Sequence, residues 1–137
     1  MVELLLTLVI LGVVAGLSTP VYLSYVSRND LIIATENITD MHRRAQSYAR
    51  SGNGDTTWGV AVQASSATLF KGATYATRDT AYDETIALTT GTTVTGLTEV
   101  LYSKLYATPS TTGTLTLTKS NESKVITVGA KGLVSYN

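Results

Sequence analysis

Cysteine is absent from the 137 residues. A disulfide framework and a thiolate metal site are thereby excluded, while an extracellular compartment stays possible. Charge is scarce as well: 15% of residues are Asp, Glu, Lys or Arg, where about 25% is usual in a soluble domain. Neither sign prevails, since ten basic side chains balance ten acidic ones. A dedicated nucleic-acid binder would normally show a basic excess. Histidine, Phe and Trp occur once each. No Gly-rich phosphate loop follows a strand, the glycines falling in turns. The length leaves room for one compact domain and one appendage, not for two full domains.

What is abundant is divided along the chain. From Leu4 to Val26 there is no charge: LLLTLVILGVVAGLSTPVYLSYV. Roughly 20 apolar residues cross a bilayer core as a helix, so this run predicts a membrane-held segment. A cleaved secretory signal fits poorly, because Met1-Val2-Glu3 is acidic rather than basic and no A-x-A site follows. Glu3 stands at the mouth of the run. A carboxylate there is tolerable at a membrane edge, yet costs about 2.5–3.5 kcal/mol at the bilayer centre. Its retention points to a positive partner inside an assembly. Gly16, Ser18 and Thr19 have poor helix propensity, and Pro20 removes a hydrogen bond and clashes with the preceding turn. A kink in a membrane helix and a break used in assembly are both consistent with that cluster.

The segment Met-Val-Glu-Leu-Leu-Leu-Thr-Leu-Val-Ile-Leu-Gly, followed by Pro20, resembles the N-terminal segment shared by type IV pilins and type II secretion pseudopilins. That family has a glutamate near the mature N-terminus, a glycine nine positions later and a proline eight beyond it. Glu3, Gly12 and Pro20 keep those intervals, over about the first thirty residues. The resemblance implies that Glu3 neutralises the N-terminal amine of a neighbouring subunit, and that Gly12, Gly16 and Pro20 mark a stretch that unwinds in the filament. One departure stands out. Family members usually begin with a methylated Phe four residues before the glutamate, and Met1 is two before Glu3. Either two residues and a leader precede Met1, or the start is assigned differently.

Beyond Pro20 the pattern becomes amphipathic. Leu31, Ala34, Ile38, Met41, Ala45 and Tyr48 recur at steps of three and four, which predicts one helix face, on which a head packs. Glu36, Asp40, Arg43, Arg44 and Arg50 lie largely away from it, with Asp40 spaced to pair with Arg43 or Arg44. Ser51-Gly52-Asn53-Gly54-Asp55 ends the helix. Fifty residues at 1.5 Å each make a rod of about 75 Å.

After Gly54 the period falls to two. Strands are predicted at Thr57–Val62, Thr68–Lys71, Thr85–Leu88, Val100–Leu105, Thr114–Thr118, Lys124–Val128 and Leu133–Tyr136. Ser120–Ser123 and Gly129–Gly132 supply turns for a closing meander. The predicted organisation is a helix over 1–54 and an antiparallel β-rich head over 55–137, an α+β fold. Trp58-Gly59, Arg78-Asp79 and the closing strands around a glycine turn also resemble, loosely, the FimT and pseudopilin-H branch of the superfamily.

Other groups carry weaker signals. His42 lacks an evident nucleophile and orienting acid and reads as structural or exposed. Asp79, Asp83 and Glu84 offer oxygen ligands without EF-hand spacing and read as a solvated loop. Arg28, Arg43, Arg44 and Arg50 read as salt-bridged surface rather than a phosphate site. Asn37-Ile38-Thr39 and Asn121-Glu122-Ser123 are glycosylation-type triplets of a kind common by chance. No catalytic residue, metal or cofactor is expected.

The resemblance therefore implies a structural subunit that polymerises through its N-terminal helix into an extracellular filament on a bacterial surface, serving adhesion, motility or DNA uptake. Its expected partners are copies of itself, the inner membrane before assembly, a prepilin peptidase and the pilus assembly machinery. No specific small molecule is implied, and contact with nucleic acid is left open. The alternatives are a minor pseudopilin of a type II secretion system and a membrane-anchored binding domain that never polymerises.

Overall fold

The computed structural model describes residues 1–16 and 22–137. Helix α1 covers Val2–Arg50. A short 3-10 turn, Asn53–Asp55, follows it. Then come β1 Trp58–Val62, β2 Ser66–Lys71, β3 Asp79–Ala87, β4 Thr93–Gly96, β5 Glu99–Tyr102, β6 Gly113–Lys119, β7 Glu122–Val128 and β8 Val134–Tyr136. The fold is α+β, a long N-terminal helix packed on antiparallel sheets, and it is pilin-like.

The strands form two four-stranded sheets, ordered β3-β2-β1-β5 and β4-β6-β7-β8. Every pairing is antiparallel. The second half of α1 lies across both, touching β1, β2 and β5 of one sheet and β6, β7 and β8 of the other. One shared core results, in which Leu31, Ile38 and Met41 of the helix meet Val60, Leu69 and Tyr102 from the first sheet and Leu115, Leu117 and Ile126 from the second.

Local chemistry sets the boundaries. Gly52 (φ +67°) takes the left-handed turn that ends the helix region, while the Gly52 and Leu105 amides both donate to the Ala49 carbonyl, at 3.2 and 2.8 Å. In β1 every residue is buried. Gly59 sits there because an added Cβ would lie 2.7 Å from the Phe70 ring and 2.8 Å from a Leu101 methyl. The indole of Trp58 donates to the Asn53 carbonyl at 2.8 Å and packs on Tyr48 with ring centroids 4.7 Å apart.

Three strands differ from the alternation pattern. β3 runs nine residues, well N-terminal of the expected Thr85 start, because its first half is an exposed edge where acidic and small residues suffice. β4, not expected at all, is a four-residue edge strand held only by β6. β5 stops at Tyr102 instead of Leu105, since Leu105 adopts φ +69° in the turn closed by the Ser103 and Thr108 backbone.

Candidate assembly interface

The two described parts of α1 present opposite surfaces. Residues 1–16 are exposed on every side, and Leu4, Leu5, Leu6, Leu8, Leu11 and Val14 each keep 60% or more of their surface open. Glu3 is exposed within this stretch and has no ion-pair partner among the described residues. Around Gly12 and Gly16 an added Cβ would meet nothing within 4 Å, so the helix surface is open there. Pro20, and with it the 17–20 part of the expected break, lies outside the described residues. So does part of the expected Leu4–Val26 span, and among the described residues no helix is long and apolar enough to cross a membrane.

The head-bearing half is buried down one side. Leu31, Ile38, Met41, Ala45 and Ala49 are buried, while Ala34 and Tyr48 are half-buried at the margin. The centre of the buried face includes polar residues that the apolar spacing passes over. Thr35 and Thr39 are fully buried, because each hydroxyl donates to the carbonyl four residues back, Leu31 at 2.6 Å and Thr35 at 2.8 Å. His42 is buried too, its Nδ1 2.9 Å from the Tyr102 hydroxyl. Burial lowers its pKa to about 4, so the imidazole is neutral at pH 7, and burial pushes the Tyr102 phenol up.

Polar clamps tie this half to the sheets. Lys119 Nζ meets Asp30 Oδ2 at 2.5 Å, a half-buried pair joining the β6–β7 hairpin to the helix, and Ser27 and Ser120 stand hydroxyl to hydroxyl at 3.5 Å. Near the other end Gln46 Nε2 donates to the Gly132 carbonyl at 2.6 Å. A Cβ on Gly132 (φ +78°) would sit 3.2 Å from the Ala107 carbonyl, so the turn before β8 needs this glycine.

The remaining groups go to separate partners. Asp83 Oδ2 accepts from Arg78 Nε at 2.7 Å, and that hydrogen bond raises the Arg78 pKa. Arg78 also lies 3.8 Å over the Tyr75 ring. Asp83 Oδ1 is buried without a hydrogen-bond partner. Glu84 pairs with Arg44, whose pKa is raised by its hydrogen bonds to Tyr48 and Glu84. Asp79 Oδ1 accepts from the Ala81 amide at 3.2 Å. Among the described residues no three such ligands group around a metal position. Arg43 pairs with Asp40 at 3.3 Å; Arg28 and Arg50 are exposed. Of the two glycosylation-type triplets, Asn37-Ile38-Thr39 is locked in the helix with Thr39 buried, whereas Asn121 is exposed on the β6–β7 turn.

The later part of the helix is thus covered by antiparallel sheets, and residues 1–16 are bare. No protein-family model matches the chain, and no curated protein does. Among solved structures it is similar to the type IV minor pilin FimU of Pseudomonas aeruginosa strain PAO1. The TM-score is 0.65 at 12% identity, over 82% of this chain and 92% of that one. At that identity the likeness establishes the fold, a type IV pilin-like one.

Proposed function

We propose that this chain is a filament subunit, whose exposed apolar end packs against the same segment of other copies while the heads tile the outside. The observation that carries this reading is the uncharged stretch from Leu4 to Gly16, exposed on all sides of a helix whose other half is fully used. Removing such surface from water is worth about 25 cal/mol per Å², and a contact that does not close on itself extends into a helical polymer. The likeness to a minor pilin supports the same role. Before assembly the apolar end holds the chain in the inner membrane, where a prepilin peptidase and the assembly machinery act on it; the product is an extracellular pilus on a bacterial surface. In the polymer Glu3 pairs with the N-terminal amine of a neighbour, and the Gly12–Pro20 stretch loosens as helices pack. The unit 1–54 serves as core and stalk, and 55–137 as head.

The test is Glu3→Ala. The variant should reach the membrane fraction in normal amount, because the apolar run is intact, yet give sharply fewer filaments by electron microscopy. Normal filament numbers would refute the pairing.

A further inference from the structure

The head carries a second, unrelated pair of exposed surfaces, one at each end. At the C-terminal end of α1 the loop after β5 projects Leu105 and Tyr106, 60% and 81% exposed, and the neighbouring Leu133 is 74% exposed. Leu105 (φ +69°) and Ala107 (φ +51°) are non-glycine residues in the left-handed region on either side of Tyr106. Such strain persists only when surrounding contacts impose it. Here the Leu105 amide is held by Ala49 and the Ala107 amide by the Ser103 carbonyl, both at 2.8 Å. The tyrosine is thereby held out in solvent. Beside this knob lies a groove of about 440 Å³ whose charged lining residues, Arg43, Arg50 and Lys131, are all cations.

About 39 Å back along α1, counting 26 residues from Ala49 to Leu23, the opposite end shows the complement. Tyr22, Leu23 and Tyr25 are 67%, 61% and 71% exposed. Leu23 borders a groove of about 380 Å³ between the helix and the β6–β7 turn, and the one charged residue lining it is Glu122. An apolar knob flanked by cations at one end thus faces an apolar and acidic groove at the other.

We infer that the Leu105–Tyr106 knob of one copy seats in the Leu23–Glu122 groove of a second copy, with Lys131 and Arg50 meeting Glu122. This rests on the chain being a filament subunit, and it supplies an axial contact between heads, independent of the apolar core. Because the two surfaces differ and lie at opposite ends, each copy takes one neighbour above and one below, and the contact never closes.

The absence of cysteine makes the test clean. Full-length Thr108→Cys/Asn121→Cys filaments, which keep Tyr106 and Glu122 and place the thiols on exposed positions beside the knob and the groove, should yield a ladder of covalent oligomers with a short bis-maleimide, and each single variant should give none. Separately, Lys131→Glu and Glu122→Lys should each lower filament yield by about fivefold or more, while the charge-swapped double variant recovers most of it. Melting of each variant in detergent, followed by circular dichroism, verifies the fold. Filaments of normal number and shape that give no ladder, or charge reversals without effect on yield, overturn the head contact and leave the core reading standing. Failure of the wild-type chain to form filaments at all brings down both.

Discussion

One helix, two fates: the described residues of α1 before position 17 expose their leucines and valines, while after position 26 Leu31, Ile38, Met41, Ala45 and Ala49 are buried beneath two sheets. Helix propensity does not distinguish them, since both are rich in helix-compatible aliphatic residues. Partnership does. The later half has its partner in the same chain, so its polar positions are placed to suit a fixed surface, with Thr35, Thr39 and His42 each given one specific acceptor or neighbour. The earlier half, Glu3 apart, is almost wholly apolar, and its Thr7 hydroxyl bonds only to the Leu4 carbonyl of its own helix, so no sheet of this chain fixes that surface.

The strongest way to break that contrast is truncation. Removing residues 1–26 should leave a folded, soluble monomer, because the core begins at Ser27 and Leu31. Removing residues 1–54 should leave a fragment that melts without cooperativity, since Leu31, Ile38 and Met41 each contribute about 1.5–3 kcal/mol by burial and no disulfide compensates. Circular dichroism of both on heating decides the matter: a shared midpoint would show that the head does not need the helix.

Next in size is a pair of isoleucines on the same helix. Ile38→Ala should destabilise the head by about 2–5 kcal/mol in urea unfolding, while Ile10→Ala should change stability by less than about 0.5 kcal/mol and reduce filament yield instead. Equal stability losses would erase the distinction between the halves.

Acid sharpens it further. His42 has a lowered pKa, about 4 in the fold against 6.5 unfolded, so the unfolded state binds its proton first. Stability is therefore full above pH 6.5 and falls as the pH drops toward 4, by up to about 3 kcal/mol. Unfolding curves across that window should show the slope, and His42→Gln should remove it if the neutral ring is its origin. The smallest effect is expected at Arg43→Ala, whose exposed pair with Asp40 should be worth less than about 0.5 kcal/mol by the same unfolding measurement.

Periodicity in the sequence marks the two regimes of the helix and most of the strands. β6 and β7 carry the alternation of strands with one face on the core, whereas β1 and β2, buried on both faces, read as short apolar runs between turns. Edge strands were harder: Asp79–Glu84 and Thr93–Gly96 face water on much of their surface, so no apolar alternation is required of them. Division into two sheets is a long-range property, fixed by β5 returning to β1 while β4 pairs with β6, and local pattern does not encode it. On the helix, reading apolar residues alone set the face slightly to one side, with Ala34 and Tyr48 at its edge. The true centre holds Thr35, Thr39 and His42, whose polarity is hidden by bonds that only the folded chain reveals. A threonine four residues from another, in phase with leucine and isoleucine, was the available signal. For Glu3, Gly12 and Gly16 the spacing is legible in the sequence, and in the fold all three are exposed, with nothing of this chain within 4 Å of a Cβ added at either glycine.

The clamps between helix and second sheet have a mechanical meaning. Ser27 and Asp30 hold the β6–β7 hairpin at one end, and Gln46 holds the Gly132 turn at the other, about 28 Å apart over 19 residues. A pull along the helix from residue 22 loads both attachments in shear, together with the apolar face between them. They must yield at once rather than peel in sequence, the geometry that resists force best. A subunit built this way transmits tension through its helix while its head stays seated, and a head without the Asp30–Lys119 tether would begin to unzip from the end where the load enters.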